Sequence, residues 1–324
     1  MLMTNARLSA IGMAVPAKVI DNQYFESLID TTDEWIVTRT GIRTRYYTGP
    51  DEFTSDLCVR AVEDLAAQHT VALDDVDMII VSTVTPDQPM PSMACRVQYR
   101  LNMPRAGALD VYAACAGFSY GVVLAKGLIA AGTHRKVLVI GAETLSKVTD
   151  FEDRSSCFLF GDGAGAVLIE ADATGNIGAC VTGANGEGGG DLYMSGLAET
   201  LDGLPIKRNR TIVQNGRKVF KWAVNTVSAQ IKVLLEKNNL TLDDIDWLIP
   251  HSANLRILEA ISNDIGFPMA RVLESIVDYG NTSSATIPIA LCNGIRSGKV
   301  QRGDRILIIG FGGGLVYAGT IIQW

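Results

Sequence analysis

Cys115 stands where a thiol could act as a nucleophile. In GALDVYAACAGFSYGVVLAKGLIAAG, residues 107–132, an apolar strand through Val111 runs into Ala113, Ala114, Cys115, Ala116 and Gly117. A helix whose only charge is Lys126 follows. A helix apolar all round belongs in an interior. Its unpaired first N–H groups and its dipole favour a thiolate at Cys115. The small flanking residues permit a sharp strand-to-helix turn and the approach of a substrate. A cysteine in an apolar run is otherwise a packing residue, so partners are needed to argue for chemistry.

Two polar residues qualify as partners. His251, one of three histidines, follows an apolar strand in IPHSANLRI, whereas His69 and His134 occupy polar helix ends and read as surface residues. Asn281 lies in YGNTSSATIP, just ahead of a helical segment at 285–295; alone it would be a turn or N-cap residue. GFGGG, residues 310–314, follows the strand at 305–309 and lets backbone N–H groups approach a substrate, as an oxyanion hole requires. GDGAG at 161–165 lacks the dinucleotide-binding spacing and is assigned to turns and close packing. The chain has no phosphate-cradling P-loop, and no Cys/His cluster has metal-ligand spacing.

An internal repeat supplies the elements that position these residues. LDDVDMII at 73–80 matches LDDIDWLI at 242–249, and KVLVIG at 136–141 matches RILIIG at 305–310; both pairs are offset by 169 residues. Cys58, Val62 and Leu65 share one helical face, and the same offset leads to Val227, Ile231 and Leu234 on a helix expected over 218–238. The period is far longer than that of a solenoid. Two similar α/β halves with parallel sheets and crossover helices follow, meeting face to face through buried helices. The boundary is expected near 170–175, giving halves of 1–170, with the cysteine, and 171–324, with His251 and Asn281. The offset maps Cys115 onto Ser284, so the Asn281 turn occupies in the second half the place of the cysteine turn in the first. GANGEGGG at 183–190 reads as a flexible loop, and 191–217 as a surface excursion over the site.

Composition narrows the function classes. Of the 324 residues 48% are hydrophobic and 19% charged, a balance that argues against disorder and for buried sheet. A net charge of −7 without any Lys/Arg block argues against nucleic-acid binding. The N-terminal stretch lacks the apolar core and cleavage site of a signal peptide, and the glycine-broken run at 306–324 reads as a buried strand pair, not a membrane span. Six scattered cysteines in a chain of this size read as reduced thiols in cytosol.

Together AACAGF, PHSANLRI, YGNTSSATIP, GDGAGA and GFGGG, in this order, resemble the signature set of the β-ketoacyl-acyl-carrier-protein synthase III family, a likeness that runs from TTDEWIVTRTGIRTR at 31–45 to the C-terminus. The resemblance implies a five-layered α-β-α-β-α thiolase fold, a cytoplasmic homodimer and no cofactor. It implies acylation of Cys115 by an acyl-CoA, then decarboxylative condensation with malonyl-acyl-carrier protein, initiating fatty acid synthesis. By the same resemblance the N–H groups of Cys115 and Gly313 form the oxyanion hole, and His251 and Asn281 hold the malonyl thioester oxygen. Phe311 walls the cysteine from solvent, while Trp35, Arg39 and Arg154 clasp the CoA head. Asn254 touches the pantetheine arm, and Arg256 meets the acidic carrier protein. Two positions depart from the usual pattern. Ser252 replaces the commoner Gln, as in a second-copy bacterial subgroup. Met90 stands where well-known members place a Phe in the partner's acyl pocket, so a longer or branched primer is expected.

Two rivals deserve comparison. Cys115, His251 and Asn281 follow papain order, and their 136-residue Cys-to-His spacing falls within the papain-like range of about 130 to 150. The papain-type context around the cysteine is missing, however, and the repeat and GFGGG are foreign to it. A non-catalytic subunit of a condensing complex would usually lack the nucleophile, and here all three positions are present.

Overall fold

The computed structural model describes residues 5–207 and 209–324. Two mixed sheets carry the architecture. The first has the strand order Asn5–Ala14, Asp162–Asp172, Lys136–Thr144, Met78–Ser82, Gly107–Val111; the second has the order Ile177–Ala184, Val316–Gln323, Arg305–Gly312, Trp247–Pro250. The halves are not purely parallel as expected. In each, the first two strand pairs are antiparallel and the remainder parallel. The reason is visible at 313–315, a turn far too short for the dozen or more residues that a parallel crossover needs. The fifth strand of the first sheet has only a reduced counterpart in the second, a parallel bridge from Leu248 to Val272.

The 169-residue offset survives in three dimensions. Met78 and Trp247 both open strands, as do Lys136 and Arg305. The short 3-10 turns Ala114–Ala116 and Ser283–Ala285 keep the same offset, and each runs directly into a helix, Gly117–Ala130 and Thr286–Arg296. Strand alternation explains the layering. Val137 and Val139 face the helices between the sheets while Leu138 and Ile140 face outward; in the second sheet Ile306 and Ile308 face in and Leu307 and Ile309 out. Val122, Ile129, Ile287 and Leu291 on the two central helices fill the space between sheets. Helices Thr54–His69 and Met93–Arg100 cover the first sheet, and Gly216–Lys237 and Leu255–Ile265 the second, which completes five layers. Cys58, Val62, Leu65, Val227, Ile231 and Leu234 are all fully buried, as their shared faces required.

Several local expectations need correction. The cysteine helix is not covered all round, since Leu124 is 41% exposed. His69 is half-buried, its ring resting against Trp324, while His134 keeps a partly exposed place at the surface, its ring beside Thr133. The glycine-rich stretch that read as a flexible loop contains a 3-10 turn, Gly186–Asp191. Beyond it the excursion carries two small strand pairs, Leu192–Met194 with Ile212–Gln214 and Thr200–Leu201 with Leu204–Pro205. The last two long strands are the buried antiparallel pair expected at the C-terminal end. Among the described residues, no helix is long and apolar enough to cross a membrane, and no cluster of His, Cys, Asp or Glu could hold a metal ion.

Candidate active site

The turn that carries Cys115 is strained and tightly braced. Ala114 adopts a left-handed backbone, φ +44°, an arrangement that costs energy for a residue with a side chain. Gly117 must be glycine, because a Cβ there would lie 1.7 Å from Ser82 Oγ. The strand Arg305–Gly312 presses against the turn from the other half. A Cβ on Gly310 would lie 2.8 Å from Ala116 Cα, and one on Gly312 would lie 2.8 Å from Cys115 Cβ and 3.1 Å from its Sγ. GFGGG is therefore not a loop throughout: residues 310–312 are strand, paired with Ala318, Tyr317 and Val316. The missing side chains of Gly310 and Gly312 make room for the cysteine turn.

Cys115, His251, Asn281, Phe311 and Gly313 line one cavity of about 720 Å³, together with Trp35, Arg39 and Asn254. As a residue, Cys115 is only partly buried where it lines this cavity. Burial nevertheless pushes the thiol up to about 12, helped by the nearby Glu143 charge, while the Ser283 side chain and the backbone pull in the other direction. Desolvation thus works against the thiolate expected from the helix end. All six cysteines are free.

His251 sits at the end of strand Trp247–Pro250 and is buried. Its backbone N–H donates to Ile309 O, and its ring meets Phe311 edge-on at 5.2 Å. Burial holds the imidazole down at about 3, so it is neutral at physiological pH. Nδ1 lies 2.7 Å from Thr286 Oγ1, which is also 2.9 Å from Ser283 O. The hydroxyl has one proton to donate, either to Ser283 O, with Nδ1–H then donating to Oγ1, or to Nδ1. When it points to Nδ1, Nε2 carries the ring N–H and becomes a donor.

Asn281 is held by the other corner turn. Its backbone N–H donates to Leu159 O, and its Oδ1 accepts from Ser283 N at 2.8 Å. That commitment leaves Nδ2 as the free donor, with no acceptor among the described residues. Ser283, like Ala114 exactly one repeat earlier in the chain, has a left-handed backbone, φ +49°. Two donors and a thiol from opposite halves thus share one chamber.

Of the more peripheral candidates, Trp35, Arg39 and Asn254 also line an outer depression shared with Arg256, so they stand at the junction between chamber and surface. The guanidinium groups of Arg39 and Arg154 lie 5.8 and 5.9 Å from the Trp35 ring centre, a geometry suited to a flat anionic ligand. Arg154 lines neither depression; its Nε donates to Asp30 O. The Asn254 side chain is occupied in capping helix Leu255–Ile265, and Arg256 donates to Thr38 O and pairs with Glu259. Met90 is 84% exposed and lies outside the chamber of its own chain.

Comparison with known proteins places this arrangement. Residues 109–186 match the family described as 3-Oxoacyl-[acyl-carrier-protein (ACP)] synthase III, and residues 235–324 match its C-terminal counterpart. The Halalkalibacterium halodurans protein named β-ketoacyl-[acyl-carrier-protein] synthase III 2 is 53% identical across 100% of this chain and 98% of its own length. The chain belongs to the β-ketoacyl-acyl-carrier-protein synthase III family. A Bacillus subtilis protein of the same name is 48% identical over 99% of both chains. The crystal structure of a Thermus thermophilus synthase III superposes with a TM-score of 0.95 at 42% identity, covering 98% of this chain and 99% of that one. The five layers described above are the thiolase fold of these synthases.

Within that synthase III frame, GDGAGA proves to be packing, as its reading proposed. A Cβ on Gly161 would lie 2.2 Å from Tyr279 O, and Cβ atoms on Gly163 and Gly165 would strike Ile289 and Pro288 of the other half. Of the polar residues around the site that the sequence reading did not single out, Ser283 and Thr286 lie within YGNTSSATIP, and Glu143 lies outside the motif strings. The available signal was the acid in KVLVIGAET, the one carboxylate in a strand that is apolar from Val137 to Ala142.

Proposed function

We propose that the chain is an acyltransferase that primes fatty acid synthesis by joining an acyl-CoA to malonyl-acyl-carrier protein. The convergence of Cys115, His251 and Asn281 on one chamber carries this reading. Cys115 attacks the acyl-CoA carbonyl and becomes an acyl thioester as CoA departs. The N–H groups of Cys115 and Gly313 serve the tetrahedral oxyanion, each donor worth about 3 to 4 kcal/mol of barrier. Malonyl-acyl-carrier protein then enters. Its carbon–carboxylate bond breaks, and the electrons collect on the thioester oxygen held by His251 Nε2–H and Asn281 Nδ2. The resulting carbon nucleophile attacks the acyl group, and the Cys115 sulfur leaves. A neutral imidazole donor suits this step, since it stabilises the enolate without surrendering its proton.

The substrates on this reading are the two thioesters, with no cofactor, and the enzyme works in the cytoplasm as a homodimer of two-half chains, 1–170 and 171–324. Trp35, Arg39 and Arg154 bind the CoA head, Asn254 the pantetheine arm, Phe311 shields the sulfur, and Arg256 meets the carrier protein. Met90 would enter the partner's acyl pocket and admit a branched or longer primer. Intact-mass spectrometry after exposure to acetyl-, isobutyryl- and isovaleryl-CoA tests these points together. A single acyl adduct is expected, absent in Cys115→Ala. His251→Ala should still accept the acyl group but fail to decarboxylate malonyl thioester. Equal loss of acylation in His251→Ala would refute the division of roles, and strict preference for acetyl would defeat the Met90 argument.

A further inference from the structure

We propose that the Cys115 thiol proton leaves during acylation through the Ser283 hydroxyl to the carboxylate of Glu143, a route that does not involve His251. This rests on Cys115 being the acylated nucleophile. Glu143 is fully buried near the end of strand Lys136–Thr144. Its carboxylate accepts from Thr85 Oγ1 at 2.7 Å, Val84 N at 3.0 Å, Thr83 Oγ1 at 3.1 Å and Ser283 Oγ at 3.1 Å, with Ser284 Oγ at 3.3 Å. Among the described residues no Lys or Arg pairs with it. A carboxylate buried without a cation is costly, and it resists that cost here only through neutral donors. Ser283 lines the chamber beside Cys115, the two turns that carry them pack together, and its hydroxyl donates to Glu143 Oε1 at 3.1 Å, which leaves its oxygen to accept from the thiol. Its left-handed backbone is the strained element that holds the hydroxyl between the two.

The chemistry balances. As the sulfur bonds to the acyl carbon and the carbonyl electrons move onto oxygen, the thiol proton passes to Ser283 Oγ and the Ser283 proton to Glu143. When the tetrahedral species collapses, the carbon–sulfur bond to CoA breaks, and the proton returns by the same path to the leaving thiolate. Burial raises the Glu143 carboxyl to about 7, against the hydrogen bonds from Thr85, Val84, Ser283 and Thr83. That value suits a proton acceptor working at neutral pH. Transfer from a thiol near 12 is uphill before attack, so it must accompany sulfur–carbon bond formation. Besides the hydroxyls at Thr83, Thr85, Ser283 and Ser284, the titratable groups that feel the Glu143 charge are Cys58, Tyr112 and Cys115. All three are pushed up, first by burial. Ser283 lies beside the reacting sulfur; Glu143 acts through it and is a positioning residue. The route also explains why acylation should survive loss of His251.

The test is the rate of adduct formation on Cys115 between pH 5 and 9, using the acyl-CoA that labels the wild type best. The wild-type rate should rise through a limb near pH 7 and then level. Glu143→Gln should acylate about 100-fold more slowly at pH 8 and lack the limb. Glu143→Asp should recover part of the rate together with the limb. Ser283→Ala, which leaves the carboxylate in place, should flatten the profile in the same way and decides the matter if Glu143→Gln does not fold. Decarboxylation of malonyl thioester should change by only a few-fold in each variant. An unchanged limb in Glu143→Gln or Ser283→Ala, or equal loss in both half-reactions, overturns the proton route while leaving the synthase reading intact. Absence of any adduct on wild-type Cys115 overturns both.

Discussion

Replacing Gly312 by Ala tests how closely the two halves must approach at the sulfur. The backbone at Gly312 is extended, so alanine can adopt it, and by conformational entropy alone the change should stabilise the strand by about 0.5 to 1 kcal/mol. The added Cβ, however, would sit 2.8 Å from Cys115 Cβ, 3.0 Å from its N and 3.1 Å from its Sγ, where ordinary contact begins at 3.4 Å. Strand and turn must separate by roughly 0.6 Å. Overpacking of this kind costs about 1 to 3 kcal/mol, which outweighs the entropic gain and leaves a net loss of about 1 kcal/mol. Displacement of a reacting atom by about 1 Å can cost on the order of 100-fold in rate, so roughly 0.6 Å should cost at least about 10-fold in acylation. Intact-mass time courses give the rate, and thermal melting gives the stability. Gly127→Ala is the control, since nothing lies within 4 Å of its would-be Cβ on the cysteine helix; it should raise Tm and leave acylation alone. A Gly312→Ala enzyme with wild-type rate and undiminished Tm would refute the claim that these glycines exist to admit the cysteine.

Thr286→Val removes the hydroxyl beside His251 Nδ1 and leaves a buried ring nitrogen unpaired, a loss of about 1 to 2 kcal/mol. Malonyl thioester decarboxylation should fall roughly 5- to 30-fold with acylation unaffected, and equal effects on both half-reactions would contradict the assignment. Burial lowers the His251 pKa to about 3, so the unfolded chain binds the extra proton first as pH falls. The stability tied to this neutral imidazole is therefore fully present above the unfolded value near 6.5 and is lost progressively toward pH 3. Glu143, raised to about 7, acts in the opposite sense between about 4.5 and 7. The His251 part is accordingly read as the difference between wild-type and His251→Asn melting curves; that difference should change steadily below pH 6.5, and a flat difference would exclude a buried neutral ring.

Much of this architecture was legible because duplication leaves a register. Leu73–Asp77 against Leu242–Asp246, and Lys136 against Arg305, place strands without any knowledge of packing, and the same offset brought the Asn281 turn opposite Cys115. Strand direction was not legible, since alternation such as Val137 to Ile140 looks the same in parallel and antiparallel sheet when both faces are buried. Nor was the cost of a thiolate at Cys115, because helix-end stabilisation is local whereas desolvation depends on what the distant strand Arg305–Gly312 brings to the sulfur. Asn254 showed the opposite limit: its role in capping a helix and its place at the chamber mouth are both true, and residue type alone could not rank them.

The excursion after Asp191 has an implication for how such a catalyst can diversify. Leu192, Tyr193, Met194, Ile212 and Gln214 contribute chamber wall from short, partly exposed pairs, whereas the thiol, imidazole and carboxamide hang from the two large sheets and their shared helical layer. Substitutions in the former can reshape the space offered to an acyl chain while the reacting groups keep their spacing. New primer preferences are therefore best sought at Tyr193, Met194, Ile212 and Gln214, whereas Leu192 packs against Gly313 and is tied to the chemistry.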